Sequence, residues 1–93
     1  MIRSFKGKHT EAVAAGRPLK GFPADLVAST ERKLQYLGDA AKLDDLRAPP
    51  GNRLEALKGN RAGQHSIRIN NQWRICFRWT DAGAEDVEVT DYH

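Results

Sequence analysis

The chain reads as an α+β fold, with N-terminal helices packed on one face of a mainly antiparallel sheet of four to five strands. Three observations predict it. Apolar residues recur at helical spacing only in the first half of the chain. Ala48-Pro49-Pro50-Gly51 then forces an extended turn, and beyond it the apolar period drops to two. The alternating stretches that follow are separated by turn signals, Gly59-Asn60-Arg61-Ala62-Gly63 and Asn70-Asn71, as an antiparallel meander requires.

Taken in order, residues 1–5 alternate enough for a short strand, with Ile2 inward and Arg3 outward, that joins the sheet. Alanines and Glu11 favour a short helix over residues 8–15, ended by Gly16-Arg17-Pro18. The main helix starts near Pro23 and runs to about Leu37. Leu26, Val27, Thr30, Leu34 and Leu37 form its apolar stripe, Glu31, Arg32 and Lys33 turn outward, and Gly38 stops it. Residues 40–46 add another turn or two of helix, with Leu43 and Leu46 inward.

Residues 53–58 are a strand candidate. Leu54 and Leu57 fall three apart and would sit on opposite faces, so a bulge is expected there. Residues 65–69 come next, with Ile67 and Ile69 inward and Ser66 and Arg68 outward. Residues 72–79 are the clearest strand: Trp73, Ile75, Phe77 and Trp79 on a core face, Arg74, Cys76 and Arg78 on an exposed one. In the last strand Val87 and Val89 point inward while Asp86, Glu88 and Thr90 point outward.

A length of 93 residues fits a single domain over residues 1–93, and the 40% apolar content is globular. The net charge of +3 understates the asymmetry. From Arg47 to Trp79 seven basic residues (Arg47, Arg53, Lys58, Arg61, Arg68, Arg74, Arg78) face one acid, Glu55, whereas Thr80 to His93 carries five acids and no Lys or Arg. A local cationic field of that kind attracts polyanions even when distant acids cancel it in the total. The one cysteine, Cys76, forbids an internal disulfide and fits a reducing compartment. The start of the chain lacks the apolar block of a secretory signal, and no apolar run is long enough for a bilayer, so a cytoplasmic protein that does not enter a membrane is expected.

The order of elements, the stretch PPGNRLEALKGNRAGQHSIRINNQWRICFRW and the terminal Asp91-Tyr92-His93 resemble the HigB-type toxins of the RelE superfamily, the toxin halves of type II toxin–antitoxin modules, and their GraT-like branch in particular. The likeness spans the whole chain. Its most specific parts are Leu57-Lys58-Gly59, Gln72-Trp73-Arg74-Ile75 and Asp91-Tyr92-His93. The resemblance implies a RelE-like fold and an endoribonuclease that cuts messenger RNA on the ribosome, with ribosomal RNA contacts, and so inhibits translation and growth. It implies a HigA-like helix-turn-helix antitoxin as partner, with operator DNA reached only through that antitoxin. The family's functional positions fall on Glu55, Lys58, Arg74, Asp91, Tyr92 and His93. Some relatives carry a histidine where this chain has Glu55, and a glutamate needs a raised pKa to act as a base near neutrality.

Cutting RNA without a metal or other cofactor requires a base for the 2′-hydroxyl, positive charge for the phosphorane oxygens and an acid for the leaving 5′-oxygen. Arg74 offers a fork of donors to phosphate, with Arg53, Lys58, Arg61, Arg68 and Arg78 as further phosphate contacts. His93 is the natural acid or base. Glu55 or Asp91 serves as base or orients His93, and Tyr92 stacks on a nucleobase or donates a hydrogen bond. Scattered His9, His65 and His93 and a lone Cys76 give no metal-ligand spacing. A second reading of the arginine row stands beside this one: Arg68, Arg74 and Arg78 pair across strands with Asp86 and Glu88. A non-cleaving RNA- or ribosome-binding inhibitor, or a degenerate toxin acting as a co-repressor subunit, is the alternative function. Trp73 and Trp79 are expected in the core, His65 at a sheet edge, and Cys76 as a small spacer.

Overall fold

A computed structural model describes residues 1–91. Helix α1 spans Lys8–Ala14 and α2 spans Val27–Asp39, entered through a 3₁₀ turn at Ala24–Leu26 just after Pro23. Further 3₁₀ turns occupy Leu43–Arg47, Pro50–Asn52 and Gly59–Arg61. Four strands, β1 (Glu55–Ala56), β2 (His65–Arg68), β3 (Trp73–Thr80) and β4 (Gly83–Asp91), pair antiparallel in the order β1-β2-β3-β4. The expected α+β class holds, and of the four to five antiparallel strands expected the described residues form four.

At seven residues α1 is too short to be helical by propensity, so packing must hold it. Val13 from α1, Leu34 and Leu37 from α2, and Ile67, Ile75, Phe77, Val87 and Val89 from the sheet form one buried cluster, with Trp73 and Trp79 packed against it as expected. Each such side chain contributes roughly 1.5–3 kcal/mol on burial. Thr10 adds a polar tie, its hydroxyl accepting a 2.8 Å hydrogen bond from the Val89 amide. Residues 1–6 run parallel along the outer edge of β4. The Arg3 amide donates to Ala84 O at 2.7 Å and the Lys6 amide to Val87 O at 2.8 Å. The expected N-terminal strand therefore joins the sheet as two isolated bridges.

Several local expectations are corrected. Gly38 does not stop α2: the helix runs through it to Asp39, because buried Leu37 fixes the last turn and a single glycine weakens a helix by only about 1 kcal/mol. The strand expected over residues 53–58 shrinks to Glu55–Ala56 and needs no bulge. Arg53 adopts a left-handed conformation (φ 46°) before it, and the chain bends after it, so Leu54 and Leu57 both reach apolar surroundings. The bulge lies instead between β3 and β4. Pairing steps from Cys76↔Glu88 to Arg78↔Glu85, so Phe77 faces two residues, Val87 and Asp86, and Asp86 takes φ 51°.

Candidate functional site

The sheet face turned away from the helices carries the arginines. The register lines up Glu55, Ser66, Cys76 and Glu88 in one cross-strand row, with Arg68, Arg74 and Thr90 in the next. Two guanidinium side chains directly opposite each other repel unless each is held by its own partners. Arg68 donates to Asn71 Oδ1 in the following turn. Arg74 leans towards the neighbouring row: its Nε donates to Ser66 Oγ at 2.8 Å and its Nη2 to the Arg53 carbonyl at 2.9 Å, with Glu55 Oε1 3.5 Å away. Ser66 is fully buried and the Arg74 side chain is only 14% exposed, whereas Glu55 is 54% exposed. The guanidinium is thus fixed from beneath by the fold, and its carboxylate partner stands at the surface.

The other cations divide. Arg61 is bound to Gln64 Oε1 at 3.1 Å and to Glu88 Oε1 at 3.2 Å. Arg78 pairs with Asp86 at 3.7 Å. For Arg78 the cross-strand pairing anticipated from the acidic last strand is what the structure contains, whereas Glu88 is taken by Arg61, from the turn before β2, for which no such pairing was expected. Lys58 and Arg53 are exposed beside β1. Asp91 closes β4 opposite Trp73 and accepts from Gln72 Nε2 at 3.0 Å. Tyr92 and His93 lie outside the described residues.

The supposedly exposed face is closed at its centre. Cys76 has no exposed surface, and burial pushes its thiol pKa up against the opposing pull of Arg61, a Thr90 hydrogen bond and Arg74. It is neither an exposed spacer nor an activated nucleophile. His65 is corrected too: β2 lies inside the sheet, and the His65 ring stacks on Phe77 at 6.3 Å between centroids. It lines a cleft of about 300 Å³ with Leu43, Asp44, Arg47, Leu54, Glu55 and Ala56, along the outer side of β1.

Three residues of this neighbourhood escaped the sequence reading. Ser66 was legible only as outward-facing. Asn52, completely buried, donates Nδ2–H to Leu46 O at 3.1 Å and to Ala48 O at 3.2 Å, while its Oδ1 accepts from Lys33 Nζ. Lys33, expected to turn outward, is half-buried, and its pKa is lowered by burial, then by Arg32 and Arg68. No periodicity marks a buried asparagine after Pro-Pro-Gly. Among the described residues no group of three His, Cys, Asp or Glu side chains could hold a metal ion, and no helix is long and apolar enough to cross a membrane.

Comparison with known proteins completes the picture. The chain is 47% identical to Toxin HigB-1 of Vibrio cholerae serotype O1 over 62 residues, a stretch that spans 67% of this chain and 65% of that relative's length. It is 32% identical to Endoribonuclease HigB of Proteus vulgaris over 93 residues, covering both proteins in full. A chain of the solved YoeB–YefM complex from Staphylococcus aureus shares the fold, with a TM-score of 0.64, 19% identity, and coverage of 100% of this chain and 95% of that one. Residues 4–93 match the HigB-like toxin family model, described as the RelE-like toxin of type II toxin–antitoxin system HigB. With that match running over nearly the whole of the sheet and helices described above, the chain belongs to the HigB-like, RelE-like toxins of type II toxin–antitoxin systems.

Proposed function

We propose that this chain is a cytoplasmic single-domain endoribonuclease that cuts messenger RNA on the ribosome, leaves a 2′,3′-cyclic phosphate end, and is silenced by a HigA-like helix-turn-helix antitoxin through which alone it reaches operator DNA. The observation that carries this reading is the clamped Arg74. A guanidinium gripped by Ser66 Oγ and the Arg53 carbonyl has its orientation set before any substrate arrives, which is what transition-state charge stabilisation demands. Arg68 opposite it and the exposed Arg53 and Lys58 add positive charge for flanking phosphates. An Endoribonuclease HigB that aligns end to end with the chain supports the activity.

In this reading a substrate phosphate takes the place of the Glu55 carboxylate beside Arg74. Glu55, released, accepts the 2′-hydroxyl proton. His93 protonates the leaving 5′-oxygen, Asp91 orients it, and Tyr92 meets the nucleobase. Arg61 and Arg78 are bound to acids of β4 and contribute to the RNA surface less than Arg53, Lys58 and Arg68. The Glu55–Arg74 pair also favours a second reading, in which the carboxylate keeps phosphate out and the protein blocks the ribosome without cutting. Mapping messenger 5′ ends after induction separates them. New ends that vanish with Arg74→Ala are expected; growth arrest with no new ends overturns the endoribonuclease in favour of the blocker.

A further inference from the structure

We infer that Asn52 is the positioning residue for Arg74, acting through the left-handed turn at Arg53. The inference rests on the reading of Arg74 as the phosphate-binding guanidinium and adds to it how that guanidinium is aimed. Three hydrogen bonds converge on the Asn52 side chain. Its Nδ2–H groups hold Leu46 O and Ala48 O, at the end of the preceding 3₁₀ turn, and Lys33 of α2 donates to its Oδ1. Asn52 is fully buried, so none of these bonds is easily replaced by water. The backbone around it is tied down as well, the Asn52 amide donating to Pro49 O at 2.9 Å and the Arg53 amide to Pro50 O at 3.2 Å.

The consequence falls on the next residue. Arg53 is one of two non-glycine residues with a positive φ among the described residues, and that conformation turns its carbonyl to meet Arg74 Nη2 at 2.9 Å. A left-handed arginine is unfavourable by itself and persists where its surroundings over-determine it. The buried amide at Asn52 supplies that constraint. Ser66 fixes the guanidinium at Nε and the Arg53 carbonyl fixes it at Nη2; loss of the second removes one of the tethers that restrain rotation of the plane about Cδ–Nε. Lys33 ties this arrangement to the main helix, and its partial burial accords with a structural post.

The test uses the full chain labelled with ¹⁵N-arginine and reads the water exchange of the Arg74 Nε–H beside RNA cleavage. Asn52→Ala should quicken that exchange about tenfold or more, while the Nε–H of Arg61, a side chain anchored elsewhere through its Nη1 on Gln64 and Glu88, stays unchanged. Lys33→Met, at a half-buried helix position, should give a smaller change in the same direction, about fivefold, the weight of one hydrogen bond. Cleavage by Asn52→Ala should drop about 10- to 100-fold. Combined with Arg74→Ala it should produce no further loss, because both act through one group. An Arg74 Nε–H unaltered in both variants overturns the inference whatever happens on RNA, and so does a loss of cleavage that adds to that of Arg74→Ala. A loosened Arg74 in a protein whose unmodified form makes no cuts supports the positioning and overturns the cleavage reading.

Discussion

Replacing Arg74 by methionine should separate what this side chain does for the fold from what it does for chemistry. Its loss strands the Ser66 hydroxyl, which is fully buried. An orphaned buried polar group costs about 1–3 kcal/mol. Two further contacts matter less for stability: the Arg53 carbonyl belongs to an exposed residue that water can reach, and the Glu55 pair at 3.5 Å involves a half-exposed carboxylate, worth roughly 0–1 kcal/mol. The melting temperature should therefore fall by about 5–20 °C, at roughly 4–8 °C per kcal/mol for a domain of this size. Adding Ser66→Ala removes the stranded hydroxyl and should restore most of that loss, giving a coupling of about 1–2 kcal/mol across the four proteins by thermal unfolding. Messenger 5′-end mapping should show both Arg74→Met proteins equally inactive, the repaired one included. Stability losses that simply add would refute the claim that Ser66 carries the guanidinium, and cutting by the repaired double variant would refute the role of Arg74 in cleavage.

Glu55→Gln keeps the shape beside Arg74 while removing the charge. Loss of about 100-fold or more in cleavage is expected if the carboxylate is the base, whereas a gain in RNA affinity without loss of cutting would assign it to gating. The buried Cys76 thiol should resist thiol reagents at neutral pH until the protein unfolds, and Arg61→Ala, which uncouples Gln64 from Glu88, should hasten labelling. Because burial raises the Cys76 pKa in the folded state, the contribution of the thiol to stability, read as the difference from Cys76→Ala, should be constant with pH below the ordinary thiol value of 9.0 and should decline as pH rises above it; a difference that grows there contradicts the sign. Gly83→Ala would place a methyl group 2.0 Å from the Met1 carbonyl at φ 125°, breaking the bridges that hold residues 1–6 to β4, with an expected loss of about 2–4 kcal/mol measured by denaturant unfolding.

Regular elements were legible because period alone encodes them. The alternation of Trp73, Ile75, Phe77 and Trp79 needs no tertiary knowledge to become β3, and Thr30, Leu34 and Leu37 suffice for the buried stripe of α2. Irregular backbone was not legible, since nothing in the order of residues 46–58 announces a left-handed Arg53 or a two-residue strand. The same division runs through the site. Arg68 and Arg74 could be placed on one face by alternation, whereas Glu55 entered through the family resemblance alone. The partners that orient Arg74 are a serine read only by its parity and a carbonyl, and a backbone carbonyl has no sequence signature at all. Cys76 shows the opposite failure: parity put it outward correctly, but Arg61 arching from the preceding turn to Glu88 closes the surface around it.

The charge asymmetry of the chain acquires a structural meaning through these pairings. Glu88 engages Arg61 and Asp86 engages Arg78, so acids of β4 neutralise the cations at the Gly59–Arg61 turn and at the bulged end of β3. Arg68 and Arg74 sit opposite each other further along, and Glu55, 3.5 Å from Arg74, comes from the two-residue edge strand and is more than half exposed. An exposed carboxylate contributes little to holding a buried guanidinium, while an RNA phosphodiester brings the same single charge on its two non-bridging oxygens and gains a second charge in the phosphorane, where the same fork can meet it. On the proposed reading, exchange of a carboxylate for a phosphate is therefore easier at Arg74 than at Arg61, where both partners are about three-quarters buried. The acidic last strand thus takes up Arg61 and Arg78 through Glu88 and Asp86, while Arg74 is held by Ser66 and the Arg53 carbonyl, contacts that set its orientation without neutralising its charge.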